Sequence, residues 1–197
     1  MHVLLLSCHP NPEAYTAYLA GRALDGLRSA GHEVTHIDLY ASGFRAAMSP
    51  EERSAYHGPE PVLDPMVAEH IEIVRSVDAI VCVYPTWWSG LPAMLKGWLE
   101  RVMVPGVGFR FDEKSGKARP NLTNVKRVVG VSTYGSPRWY VRLVNDNGRR
   151  TLMRALRISC GFPTRGGWHG LYAIDTSTEV ERIAFGDRVE RAMEGLR

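Results

Sequence analysis

What most constrains this chain is an alternation. Five short apolar runs, rich in branched residues, occupy positions 2–7, 33–39, 79–84, 125–133 and 168–174. The first, third and fourth are almost continuously apolar, as expected of strands covered on both faces. Helical periodicity fills the gaps. After the first run, Asn11 suits an N-cap, Pro12 a first helical position and Gly31 a C-terminal stop. Ala20, Ala23, Leu24 and Leu27 repeat at helical spacing there. Further helices are predicted over 64–76, 91–102, 141–160 and 178–196. Pro92 falls in the first turn of the third, and Thr178 and Glu181 have capping-box spacing for the last. Strand and helix alternating in this way predict one doubly wound α/β domain over 1–197, with a five-stranded parallel sheet and helices on both faces. Insertions at 41–63 and 103–124 interrupt the pattern, and loops of that length usually serve a site or an interface.

Composition excludes several classes. The chain is 45% hydrophobic and 23% charged, with a net charge of only +3. That balance gives no argument for nucleic acid or an anionic membrane, and no block of five like charges occurs. Cys8, Cys82 and Cys160 form no CxxC pair, and their odd count fits a reducing cytoplasm. The apolar run in "MHVLLLSCHP" is too short for a signal-peptide core, and no stretch reaches the length of a membrane span.

Sheets of this kind bind ligands at the carboxyl ends of their strands, at the point where the strand order switches. In the order 2-1-3-4-5, strands one, three and four are neighbours. Three loops should therefore converge: "SCHPNPEAYT", "YPTWWSG" and "STYGSPRWY". The first enters a helix N-terminus, a natural anion site, but Pro10 and Pro12 remove donors and leave His9, Tyr15 and Thr16 with the remaining amides. The second offers Trp87 and Trp88, behind Pro85 and Thr86, at an edge where aromatic walls suit a flat ring. The third offers the amides of Thr133, Tyr134 and Gly135 to an electron-rich edge, with Gly135 permitting close approach.

Other patterns carry less. "HEVTH" at 32–36 matches a zinc-protease motif, but it reads as a strand, where its histidines stand about 13 Å apart and cannot share a metal. No metal site is expected. "GVGFRF" fails as a dinucleotide fingerprint. His57, His70 and His169 read as surface or loop residues. Cys8 is the cysteine nearest the converging loops.

The stretch "YPTWWSGLPAMLKGWLERVMVPGVGF", with "HPNPEAY" and "DLY", resembles the flavodoxin-like NAD(P)H:quinone oxidoreductase family. That family also includes ancillary subunits of potassium efflux systems. The resemblance implies a flavodoxin-like fold of strand order 2-1-3-4-5 and a flavin, FAD with FMN as the alternative. It implies phosphate contacts at His9, Tyr15 and Thr16. Pro85, Thr86, Trp87 and Trp88 would line the isoalloxazine, and Thr133, Tyr134 and Gly135 would donate to its pyrimidine edge. Tyr140 matches the active-site tyrosine, which would protonate a quinone oxygen. Trp88, Phe109, Phe111 and Tyr140 would contact the quinone. Phe109 and Phe111 would reach across a homodimer to the partner's flavin, so that the active site lies at the interface. NAD(P)H would deliver a hydride to flavin N5. Two departures stand out. Asp146 replaces a histidine six residues past the tyrosine, where a solvated carboxylate is expected, and Tyr134 replaces a glycine of the turn, which should narrow the pocket. A non-catalytic or regulatory flavoprotein subunit, and an azoreductase or nitroreductase, are the alternative functions.

Overall fold

The computed structural model describes residues 1–58 and 60–197. Five parallel strands form one sheet: β1 (His2–Ser7), β2 (Glu33–Asp38), β3 (Ala79–Pro85), β6 (Arg127–Thr133) and β7 (Arg165–Leu171). Their order is β2-β1-β3-β6-β7, which is the expected 2-1-3-4-5 order once the short strands β4 (Phe109–Phe111) and β5 (Ala118–Pro120) are set aside as a separate hairpin.

Alternation along the strands builds two cores. Val3, Leu5, Val81, Val83, Val129 and Val131 face α1 (Tyr15–Ser29) and α8 (Glu179–Glu194). Leu4, Leu6, Ile80, Cys82, Tyr84 and Val128 face the opposite way, toward α3 (Pro65–Ser76), α4 (Ala93–Val102) and the helical stretch before β7. A period of two puts successive side chains on opposite faces, and each fully buried Val or Leu stabilises the fold by roughly 1.5–3 kcal/mol. All seven residues of β3 are buried. No helix among the described residues is long and apolar enough to cross a membrane. Cys8, Cys82 and Cys160 are buried and unpaired.

Several boundaries differ from expectation. α1 starts at Tyr15, because Asn11 serves a turn of its own: its side chain accepts from the Glu13 amide at 2.9 Å and its carbonyl from the Ala14 amide at 3.2 Å. Ala14 occupies the cap position and has no side chain to cap with. α4 starts at Ala93, with Pro92 at the cap. β7 begins and ends three residues early. Its ladder to β6 runs from Arg165 to Leu171, and left-handed Ala173 (φ 54°) turns the chain away. The predicted 141–160 helix is two pieces. α5 (Arg138–Leu143) stops at Asn145 and Asp146, both left-handed (φ 76° and 44°), a conformation that Asn and Asp adopt more readily than most residues. The chain then continues through α6 (Asn147–Arg150), a π-helical segment (Thr151–Leu156) and α7 (Arg157–Cys160). Capping boxes form at Thr178, as expected, and at Ser49, which opens the short α2 (Pro50–Ala55) inside the first insertion.

Buried charge anchors that insertion. Arg101 of α4 is only 3% exposed. It donates to Glu52, to Asp64 (2.8 Å) and to the Arg45 carbonyl, and its guanidinium lies 5.2 Å from the Phe44 ring centre. The guanidinium pulls the Asp64 carboxyl down from an ordinary 3.8 to about 2. His70 is likewise interior, not a surface residue. It accepts from Trp98 Nε1 at 3.2 Å and stacks on Phe44, because a buried indole N–H requires a partner. Burial lowers the pKa of His70 and of the half-buried His169, whereas His57 is exposed as expected.

Candidate active site

The three loops do meet at the carboxyl end of the sheet. Two cavities lie there, of about 410 and 370 Å³, and Thr86, Trp87 and Gly135 belong to the walls of both. Thr86 fixes the junction. Its amide donates to the Thr133 carbonyl at 2.8 Å and its hydroxyl bonds Ser132 Oγ at 2.8 Å, tying the end of β3 to the end of β6.

The larger cavity is lined by Trp87, Trp88, Tyr134 and Tyr140, with Ser89, Ser136 and Val141. Trp88 and Ser89 both have positive φ (47° and 57°), inside a miniature hairpin closed by reciprocal Trp87–Gly90 backbone bonds of 3.3 and 3.0 Å. Two left-handed residues with side chains cost roughly 1–2 kcal/mol each, and such strain concentrates at functional sites. The turn holds Trp87 half in the wall and projects Trp88 entirely into solvent (102% exposed). Neither indole is core packing. Tyr140 is 41% exposed at the same mouth, and its hydroxyl makes no hydrogen bond among the described residues.

The smaller cavity is bounded by His9, Tyr15 and Thr16, with Ala14, Pro85, Thr133, Ile174 and Asp175. The late start of α1 matters here. With Ala14 unable to cap, the amides of Tyr15 and Thr16 find no backbone acceptor among the described residues, and the helix dipole adds positive potential. His9 Nδ1 lies 3.0 Å from both the amide nitrogen and the carbonyl oxygen of Asn11, which holds the ring against its own loop. Its ring lies 5.8 Å from that of Trp87. The Tyr15 hydroxyl donates instead to the Arg182 carbonyl at 2.7 Å, and burial pushes its pKa up to about 12. Asp175 is the one acid in this wall. A Cβ on residue 135 would lie 2.8 Å from its Oδ2, so a larger residue there would push the exposed Asp175 side chain aside.

Three expectations need correction. The Tyr134 amide is not free for a ligand, because it donates to the Leu171 carbonyl at 2.8 Å. Asp146 is not a solvated carboxylate. It is 9% exposed and accepts the Tyr134 hydroxyl at 2.9 Å. Tyr134 is itself buried, stacked on Tyr172 at 4.5 Å, and its pKa is raised by burial and by Asp146, so it walls the cavity and does not protrude into it. Cys8 is fully buried with its thiol pushed up to about 12, which makes it unreactive. Phe109 and Phe111 line neither cavity. They sit on the β4–β5 hairpin in edge-to-face contact, with Phe111 51% exposed. His32 and His36 diverge as a strand demands: His36 bonds Ser7 Oγ and His32 meets the Leu196 carbonyl. No group of three metal-ligating side chains occurs among the described residues.

Sequence reasoning missed Ser89, Ser136, Val141, Ile174 and Asp175. The first two lie inside stretches already singled out. Ile174 and Asp175 follow the fifth strand, whose carboxyl end deserved the same weight as the others.

A family model described as flavodoxin-like fold matches residues 1–163. The chain belongs to that family. Within it, the chain is 30% identical over 107 residues to a protein of Escherichia coli K12 named as the uncharacterized NAD(P)H oxidoreductase YcaK, covering 54% of this chain and 55% of that one. It is 26% identical to rat NAD(P)H dehydrogenase [quinone] 1, over 70% of this chain and 55% of the rat protein. The chain thus spans little more than half the length of these curated relatives. The solved NAD(P)H:quinone oxidoreductase of Methanothermobacter marburgensis matches over 100% of this chain and 99% of its own, with a TM-score of 0.87 and 26% identity.

Proposed function

We propose that this flavodoxin-like chain is a flavin-dependent NAD(P)H:quinone oxidoreductase. One observation carries the reading: two cavities joined by Thr86, Trp87 and Gly135, one walled by aromatic side chains and the other opening on an uncapped helix start. The donor set fits a flavin. The Tyr15 and Thr16 amides suit a phosphate, Trp87 and Trp88 suit a flat tricyclic ring, and Gly135 offers close backbone approach. Asp175 would repel a phosphate, so the phosphate belongs at the α1 wall. A bound flavin, FAD by expectation with FMN as the alternative, supplies a ring that takes two electrons from the nicotinamide and returns them to the acceptor.

The chain's own groups do the rest. The two tryptophans offer flat faces on which planar reactants can be oriented. The Gly135 amide stabilises negative charge developing at the ring edge, with less help than three donors would give because the Tyr134 amide is committed. The Tyr140 hydroxyl donates a proton to one quinone oxygen. The overall balance is one NAD(P)H, one proton and one quinone going to NAD(P)⁺ and a hydroquinone. Exposed Phe111 and half-buried Phe109, which line neither cavity of their own chain, support a homodimer in which each hairpin covers the other copy's site. A cytoplasmic setting agrees with three buried, unpaired cysteines.

The absorbance spectrum of the purified protein tests this reading, with acid release to size the cofactor. Flavin bands and NAD(P)H-dependent quinone reduction are expected. A colourless protein that takes up neither FAD nor FMN overturns it. Separate half-reactions test Tyr140: Tyr140→Phe should slow quinone reduction by about tenfold to a hundredfold, the low end for a general acid, and spare oxidation of NAD(P)H.

A further inference from the structure

Behind the Tyr134 wall lies a third cavity, of about 540 Å³, whose lining includes Arg142, Arg149, Arg150, Arg154 and Arg157 beside Asp146. All five arginines are exposed. Residues 138–165 contain seven arginines against a single acid, Asp146. This stretch alone therefore carries more positive charge than the net +3 of the whole chain. Among these five, only Arg149 has a carboxylate within reach among the described residues, Asp146 Oδ2 at 3.9 Å, while the other oxygen of that carboxylate accepts the Tyr134 hydroxyl. Arg150 and Arg154 stand four residues apart, and Arg154 and Arg157 three apart. Like charges at those spacings repel along a helix. The cluster is thus electrostatically unfavourable until an anion fills it. The π-helical segment Thr151–Leu156 runs through it, and such irregular turns occur often at functional sites.

The position narrows the choice of anion. α5 gives Tyr140 and Val141 to the aromatic cavity and Arg142 to the arginine cavity. Asp146 lines the second and is hydrogen-bonded to Tyr134, which lines the first. One ligand with a flat ring at one end and several phosphates at the other could occupy both. The concave form and volume suit a small molecule better than a polymer. Two phosphates in a bridge would need few of these arginines. A terminal phosphomonoester, carrying up to two charges and open to bidentate contact, would use the rest.

We propose that the arginine cavity takes the 2′-phosphate of NADPH and makes the phosphorylated dinucleotide the preferred reductant. Arginine beside a ribose is the general way proteins accept that phosphate. This proposal rests on the oxidoreductase reading above, so its test includes a measurement that needs no turnover. Calorimetric titration should show adenosine 2′,5′-bisphosphate binding about tenfold or more tightly than adenosine 5′-monophosphate. The double variant Arg150→Gln/Arg154→Gln should erase that difference. The same variant should raise the KM for NADPH about tenfold and leave that for NADH unchanged, with circular dichroism unaltered. Equal binding of the two adenosine phosphates by the parent protein overturns the proposal. So does an equal loss for both in the variant, competition by inorganic phosphate as strong as by the bisphosphate, or tighter binding of a short oligonucleotide. Selective bisphosphate binding without oxidation of either nicotinamide would support the phosphate site and refute the quinone reductase reading.

Discussion

Arg101 and Arg154 carry the same guanidinium on helical segments that pack against the same face of the sheet, yet their settings are opposite. Arg101 is buried and fully engaged by Glu52, Asp64 and the Arg45 carbonyl. Arg154 is exposed, with no salt bridge among the described residues and four other arginines around the same cavity. A buried charge survives only with partners in place, so the first group is architecture: it fastens the 41–63 insertion to α4, directly after the Trp87–Trp88 turn. Of the convergent set only Arg149 touches a carboxylate among the described residues, and the others acquire a purpose only with a ligand. The same contrast holds between Asp146, bonded beneath the site, and Asp175, exposed at its rim.

The largest test of this contrast is Arg101→Ala. It leaves Glu52 and Asp64 facing a vacancy, and breaking such a buried pair costs about 3–5 kcal/mol. Urea unfolding should show that loss. A change below about 1 kcal/mol, the range of surface pairs, would mean that the network is no anchor. Next is Tyr134→Phe, which removes the hydroxyl from Asp146 Oδ1 and leaves that carboxylate only the longer contact with Arg149. Losing a hydrogen bond to a carboxylate costs about 1.5–3 kcal/mol. Asp146→Asn keeps an acceptor for the hydroxyl and should cost clearly less. Equal effects would assign the loss to something other than the missing hydroxyl–carboxylate bond.

Acid should expose the same network. The Asp64 carboxyl is depressed in the folded state, from 3.8 to about 2. Its contribution is therefore fully present above pH 4 and is lost as pH falls toward 2. A shift of that size corresponds to on the order of 2 kcal/mol. Asp64→Asn should flatten the stability profile across that window. An unchanged slope between pH 4 and 2 would remove Asp64 from the account.

How far the sequence reached depended on the range of the interaction. Strand order and both cores were legible because apolar periodicity and branched runs are local signals that agree with the global fold. The two tryptophans were legible because position alone, at a strand end, argues against core. The true start of α1 was not, because Asn11 satisfies cap statistics while serving a different turn. Asp146 was misread because its partner, Tyr134, is twelve residues away and reaches it only through the left-handed break after α5. The arginine cavity escaped notice for a related reason. Its members lie close together in sequence, between Arg142 and Arg157, but no run of consecutive like charges marks them, and only the α5–α7 geometry shows that they share one space.

That geometry yields the smallest and most discriminating expectation. Arg154→Gln removes a charge that has no salt bridge among the described residues. Truncating a partnered arginine costs several kcal/mol, whereas this change should cost nothing. Relief of the repulsion with Arg150 at four residues and Arg157 at three should instead stabilise the protein, by about 0.2–0.5 kcal/mol. The gain should shrink as salt is raised, because exposed charges are screened over about 8–10 Å at ordinary ionic strength. Thermal unfolding at low and high salt measures this directly. A destabilised variant would show that Arg154 already has a structural partner, and the division between anchoring and ligand-seeking arginines would fail at the residue on which it most depends.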